Sequence, residues 1–207
     1  MALKLPAPVR RALLAALLVF AAAPLTAQTI QKVTTAGVHE ILTPPVIEWP
    51  AGRKPTVRIV EYFDYNCPYC RHLVPTLRRL VAQDPGVALV FKDWPVLGDA
   101  SVYAARCDLA AGYQGKYTEA HDALLAGPRL SSDRQVLSVL AGAGIDVARL
   151  EHDLAAHAPD IAHVLARNDA EARALELNGT PGLLVGRWLV PGIVDLSALQ
   201  ELVAKSR

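Results

Sequence analysis

The sequence predicts an α/β fold whose sheet is interrupted by a long all-helical insert, and three stretches carry that reading. An apolar, β-branched run over residues 56–63 passes through Asp64-Tyr65-Asn66 into Cys67-Pro68-Tyr69-Cys70. Apolar residues then recur at helical spacing (Cys70, Leu73, Val74, Leu77, Leu80, Val81), the pattern of a strand feeding a helix. Residues 99–178 read as helices throughout, and Gly179-Thr180-Pro181 then opens a second apolar strand. A crossover between parallel strands needs only about a dozen residues, so a helical stretch this long is an insertion between two parts of one sheet.

The chain has 207 residues, about half of them apolar, and a net charge of +1. That is enough for one core plus an insert, and it lacks the basic block that nucleic-acid binding requires. Residues 1–27 read as an export signal. Lys4, Arg10 and Arg11 precede an apolar run over 13–23, and Leu25-Thr26-Ala27 offers a small residue for cleavage after Ala27. The apolar run falls short of the roughly 20 residues a membrane span needs. Export would deliver the chain to the bacterial periplasm, where thiols are driven to disulfides.

Residues 28–55 form a mixed N-terminal arm: residues 29–42, with weak alternation (Ile30, Val33, Val38, Ile41), are expected to form a short strand or arm, and Thr43-Pro44-Pro45 and Trp49-Pro50-Ala51-Gly52 break the structure. Residues 56–98 hold the first half of the sheet. Val57, Ile59, Glu61 and Phe63 share one strand face, Val60 and Tyr62 the other, and residues 87–91 form the next strand, ending in Lys92-Asp93. Glu61 is either a sheet-edge residue reaching solvent or a buried acid beneath the cysteines, its pKa raised by desolvation. Lys92 would pair with it if the two strands are neighbours. Pro75 interrupts the hydrogen bonding of the helix over 68–82 and predicts a kink.

In the insert, residues 99–112 predict a helix with Ala100, Tyr103, Ala104, Cys107 and Ala111 on one stripe, and 115–125 a second. Ser131-Ser132-Asp133 and Asp146 are cap signals for the next two, and Pro159-Asp160 opens a longer one. Residues 179–207 return to the sheet with a hairpin at Gly186-Arg187 and a last helix capped by Asp195. Cys107 reads as a small buried hydrophobe. His39, His121, His152, His157 and His163 receive no role, a solvated helix face being sufficient.

The chemistry lies in the cysteine pair. If the helix starts at Pro68, Cys67 is its N-cap and Pro68 occupies the first helical position, where proline is well tolerated. Unpaired amide hydrogens and the helix dipole then favour the Cys67 thiolate, the reactive species. A first helical turn separates the two residues by about 5–6 Å, within disulfide range. Cys67 at the exposed helix tip is the attacking sulfur, and Cys70, one turn down, the resolving one. Zinc would need a second ligand pair, and a bridge closing so short a loop is a poor structural staple. Arg71 and His72 would either stabilise a thiolate or point to water.

Phe63-Asp64-Tyr65-Asn66-Cys67-Pro68-Tyr69-Cys70-Arg71, with the later Gly179-Thr180-Pro181, resembles the DsbA-type exported thiol:disulfide oxidoreductases over roughly residues 45–205. Residues 102–125 resemble that family's first inserted helices. The resemblance implies a thioredoxin-like fold with an inserted helical domain, an acidic residue at the position of Glu61, and a cis Pro181 whose loop faces the cysteines. Thr180 would then offer backbone groups to an extended substrate segment, much as an added strand does.

The implied activity is periplasmic protein-disulfide exchange, oxidising dithiols in unfolded or misbridged exported proteins, with a membrane or periplasmic redox partner to recharge the pair. No cofactor and no metal ligand set is assigned. The short arm favours a monomer. The alternatives are a disulfide isomerase or reductase, and a copper-binding accessory protein using the two thiolates. Cys-Pro-Tyr-Cys alone also suggests a glutaredoxin, against which the signal segment and the insert argue.

Overall fold

A computed structural model describes residues 30–43 and 47–207; the expected cleavage after Ala27 lies outside them. The elements are β1 (Gln31–Lys32), α1 (Thr35–Ile41), β2 (Ile47–Trp49), β3 (Val57–Phe63), α2 (Pro68–Gln83), β4 (Val87–Asp93), α3 (Asp99–Gly112), α4 (Tyr117–Ala126), α5 (Asp133–Gly142), α6 (Val147–Ala156), α7 (Ala158–Ala174), β5 (Gly182–Val185), β6 (Trp188–Pro191) and α8 (Leu196–Ala204). The strands form one sheet in the order β1-β6-β5-β3-β4-β2. Only β3 and β4, joined through α2, run parallel; the other pairs are antiparallel. Helices α3 to α7 all fall between β4 and β5, as the helical periodicity predicts. Among the described residues no helix is long and apolar enough to cross a membrane.

The cap residues define these helices. Ser132, Asp146 and Asp195 each accept a backbone N–H three residues on, at the heads of α5, α6 and α8. Helix α2 continues past Pro75. Helix α3 is buried beyond the expected stripe: Ser101 and Asp108 are inside with Ala104, Cys107 and Ala111, because other insert helices pack around it. The N-terminal segment departs from the expected arm. Among the described residues up to Leu42 only Gln31 and Lys32 form a strand, and a helix follows, with the Thr34 hydroxyl accepting from Gly37 N. The two short strands of this segment pair with opposite edges of the sheet, β1 on β6 and β2 on β4.

Strand β3 is central and buried on both faces, which is why its run is apolar almost throughout. Val57, Ile59 and Phe63 join a core formed with α2, α8 and the insert. Val60 and Tyr62 join a second one, beneath α1 and the end of α7. The neighbouring-strand premise for Glu61 and Lys92 holds, but the pairing does not. Glu61 lies opposite Phe91 and Lys92 opposite Tyr62, so strand alternation sends the two side chains to opposite faces. Lys92 instead donates to Ile41 O at 3.0 Å and pairs with Glu171 on α7 at 2.8 Å. Tyr62 Oη donates to the same carboxylate at 3.0 Å.

Burial lowers the Lys92 pKa even with Glu171 beside it, so this pair is sustained by its geometry rather than being a net source of stability. Glu171→Ala leaves a buried ammonium without its counter-charge. It is expected to cost about 3–5 kcal/mol in urea unfolding, whereas the double change Lys92→Met with Glu171→Leu should recover most of that loss.

Candidate active site

Cys67 is the N-cap of α2, with extended backbone (φ −74°, ψ 116°), and Pro68 stands at the first helical position. Its own N–H donates to Asp64 O at 3.0 Å, and its carbonyl accepts from Arg71 N at 3.2 Å. The sulfur accepts from Cys70 N at 3.5 Å. Across from it, the Cys67 thiol donates to Thr180 O at 3.2 Å, and the Thr180–Pro181 peptide is cis. The two motifs, more than a hundred residues apart in sequence, therefore meet at one sulfur. Pro68 and Tyr69 are exposed on the same tip, but Cys67 itself is only 3% exposed. The exposed sulfur expected from the helix position is corrected here: the Thr180–Pro181 loop covers it.

Cys67 and Cys70 are free thiols in the structure, and their environments drive them apart. The Cys67 pKa is lowered to about 6, chiefly by a hydrogen bond from the Cys70 thiol, helped by the Thr180 side chain and by the amides of Cys70 and Tyr69; partial burial opposes this. Thr180 acts in both senses. Its carbonyl accepts the proton of a Cys67 thiol, while its side chain favours the thiolate. The amides and the Cys70 thiol tip the balance toward ionisation. Cys70 lies fully inside, and burial, its bond to Cys67 and the nearby Glu61 push its pKa far above the ordinary thiol range. At neutral pH the first sulfur is thiolate and the second holds its proton.

Glu61 is 1% exposed, on the central strand, so the sheet-edge reading is excluded. Its Oε1 is buried with no hydrogen-bond partner among the described residues. Desolvation raises its pKa to about 8, with Arg78 pulling down and Cys67 adding to the rise. A carboxyl that holds its proton at neutral pH therefore lies within electrostatic reach of both sulfurs.

Other residues enter that the sequence reading assigned no role. Asp64, where β3 ends, accepts from Asn66 N (2.7 Å), Ser101 Oγ (2.7 Å), Val96 N (2.8 Å) and Leu97 N (2.9 Å), folding the loop after β4 against the loop before Cys67. Its place directly after an apolar strand and before a turn was the available signal, since Asx side chains organise such turns. His121 is not on a solvated face. It is buried against Phe63, Phe91 and Tyr117, 3.3 Å from Tyr65 Oη, and burial lowers its pKa to about 3. Arg71 turns its guanidinium to main-chain carbonyls, and its charge lies within electrostatic reach of Cys67 and Cys70, while His72 is exposed. Cys107 is fully buried, its pKa pushed up to about 12 by burial.

Residues 58–204 match the DSBA-like thioredoxin domain. The chain belongs to this family. Its fold is thioredoxin-like, with the five helices α3 to α7 lying between β4 and β5. A thioredoxin-like oxidoreductase from Silicibacter pomeroyi is 37% identical and superposes with a TM-score of 0.77, over 84% of this chain and 98% of that one. The thiol-disulfide exchange protein α-DsbA2 from Wolbachia pipientis is 26% identical, with a TM-score of 0.77 over 83% and 92% of the two chains. A Na⁺/H⁺ antiporter, NhaA 1 of Salinispora arenicola, is 29% identical over 157 residues, which are 74% of this chain and 24% of the antiporter. The chain thus spans about a quarter of the length of the curated relatives it matches.

Ultraviolet titration of the reduced DsbA-like chain should show one thiolate forming near pH 6, against about 8.5 for a free cysteine. Because the folded pKa is the lower one, the thiolate's contribution to the stability of the reduced protein is complete above the unfolded value and lost as pH falls through about 6. Iodoacetamide should modify Cys67 in the native reduced protein and reach Cys107 only after unfolding.

Proposed function

We propose that the chain is an exported protein-disulfide oxidoreductase that works through the Cys67–Cys70 pair, oxidising dithiols in exported proteins. The observation that carries this reading is the acidified Cys67 sulfur held 3.2 Å from the Thr180 carbonyl, beside cis Pro181, with a protonated Cys70 behind it. In this reading residues 1–27 are the signal, residues 56–98 and 179–207 the two halves of the redox fold, and residues 99–178 the insert. The periplasm supplies the oxidising setting, and a membrane or periplasmic partner re-forms the disulfide.

Starting from the Cys67–Cys70 disulfide, a substrate thiolate attacks the Cys67 sulfur. The bond to Cys70 breaks, and its electron pair leaves on the Cys70 sulfur, which takes up a proton. Glu61, protonated up to about pH 8 and in electrostatic contact with Cys70, is the internal source of that proton. A second substrate thiolate then attacks the substrate sulfur of the mixed disulfide. The substrate leaves oxidised by two electrons, and Cys67 departs as a thiolate stabilised by the amides of Tyr69 and Cys70. Run backwards, the same steps reduce or isomerise.

The rim fits an unfolded substrate. Tyr69 is 59% exposed on the helix tip. Val96 and Leu97 are exposed on the loop held by Asp64, and Ile193 is exposed next to Gly192, whose N–H donates to Pro181 O at 2.8 Å. An extended segment would add as a strand along the Thr180 backbone, with these exposed apolar side chains as its candidate contacts.

A Cys67 pKa of about 6 lies between about 3.5 in DsbA and about 7 in thioredoxin. A stabler thiolate makes a stronger oxidant, so a potential between about −120 and −230 mV is expected. Equilibration with glutathione checks this, and a value near −270 mV, that of thioredoxin, would favour a reductase. Oxidation of a reduced, unfolded protein should fall to background with Cys67→Ser and stall as mixed disulfides with Cys70→Ser. Isomerisation of a scrambled substrate, assayed beside it, should be slow, and gel filtration should give a monomer. Glu61→Gln should slow turnover roughly 10–100-fold and remove the step near pH 8 from the pH–rate profile.

A further inference from the structure

The residues on either side of the Cys-Pro-Tyr-Cys motif are tied to one short piece of the insert. Asn66 makes a reciprocal amide pair with Leu130, its Nδ2 donating to Leu130 O at 3.0 Å and its Oδ1 accepting from Leu130 N at 2.8 Å. Arg71 spreads its guanidinium over the end of α4 and the turn beyond it. Nη2 donates to Leu124 O and Pro128 O, both at 3.1 Å, and Nη1 donates to Gly127 O. Its Nε donates back to Tyr65 O at 2.8 Å, in the loop before Cys67. A guanidinium suits this place twice over. It complements the negative end of the α4 dipole, and its planar fork reaches several acceptors that a lysine ammonium, a point donor, does not.

With Cys67 as N-cap, Asn66 is the residue before the cap and Arg71 the fourth helical residue. In many helices these two positions carry a pair of apolar side chains that touch and so fix the angle at which the chain enters the helix. Here two polar side chains hold the same positions, and instead of touching each other both grip residues 124–130. The amides that converge on the Cys67 sulfur belong to Tyr69 and Cys70, between those two anchors. Their direction is set by the orientation of that one turn.

We propose that Asn66 and Arg71 are positioning residues for Cys67: by fastening both ends of the first turn of α2 to residues 124–130, they make the helical insert set the aim of the amide hydrogens on the reactive sulfur. The proposal rests on the reading of Cys67 as the reactive sulfur. A through-space role for the Arg71 charge is the competing account, and Arg71→Lys separates the two because it keeps the charge and loses the fork.

The test compares Arg71→Lys, Asn66→Ala and a control, Leu150→Ala, which opens the buried core of α6 away from the site. For each, the Cys67 thiolate titration, the exchange constant with glutathione and the melting temperature are measured. Arg71→Lys and Asn66→Ala should each raise the Cys67 pKa by about one unit and shift the exchange constant about tenfold toward the disulfide form, about 30 mV more reducing. Leu150→Ala should lower the melting temperature at least as far and leave both redox readouts at the parent's values. An Arg71→Lys protein that titrates like the parent overturns the proposal, as does a Leu150→Ala protein that shifts as much as the other two. Should Arg71→Lys fail to fold, Asn66→Ala decides alone, and parental values there overturn the proposal. If the parent exchanges no disulfide with glutathione, the functional reading fails, and the titrations still judge the positioning claim.

Discussion

A thiolate persists in a protein only where something replaces the water that would otherwise solvate it. At Cys67 the replacement is the head of α2: amide hydrogens that a helix leaves unpaired in its first turn, together with the proton of the cysteine one turn below. Pro68 fits because the first helical position has no use for an N–H. Given that arrangement, the rest of the site has a definite order. The Thr180–Pro181 loop must come from the far half of the sheet to cover the sulfur, and β3 must lie between β4 and β5 for both motifs to reach the same end.

The central strand carries two separate electrostatic problems, one on each face. On the face toward the cysteines, Glu61 Oε1 has no hydrogen-bond partner among the described residues and the pull of Arg78 is outweighed by desolvation, so it answers burial by keeping its proton. On the other face, Lys92 answers burial by recruiting Glu171 from α7. Had the lysine stood on the same face as Glu61, the carboxyl would be held as a carboxylate by a partner of opposite charge and would have no proton to give. The pleat keeps the protonated carboxyl and the ion pair apart.

Most of the frame is legible because it is written in short-range terms. Proline after Cys67 marks a helix start, Ser132, Asp146 and Asp195 mark three more, and the alternation along β3 sorts its two faces correctly. What the chain does not disclose locally is what depends on register and on distant partners. Lys92 stands close enough to its strand's apolar run to suggest Glu61, yet only the β3–β4 register shows that it faces away. His121 looks like any polar residue on an amphipathic helix until Phe63, Phe91 and Tyr65 close around it. The cover over Cys67 and the reach of Arg71 to α4 are likewise set by loops that meet only in the folded chain. Helix α1 was obscured for a different reason: its apolar residues are few, and Thr34 starts it so soon after β1 that a two-residue strand and a helix blur into one weak alternation.

Cys107 gives the buried third thiol a meaning for the order of events as the chain first folds. On the proposed export, the unfolded chain would present three thiols to an oxidising surround. The two that sit within one helical turn find each other at high local concentration, while any bridge to Cys107 must close a far longer stretch of flexible backbone. That difference in loop length favours the Cys67–Cys70 ring, and α3 buries the odd thiol in the folded chain. Once inside, it is shielded from outside thiols and disulfides, so on the proposed function the chain would not become one of its own substrates.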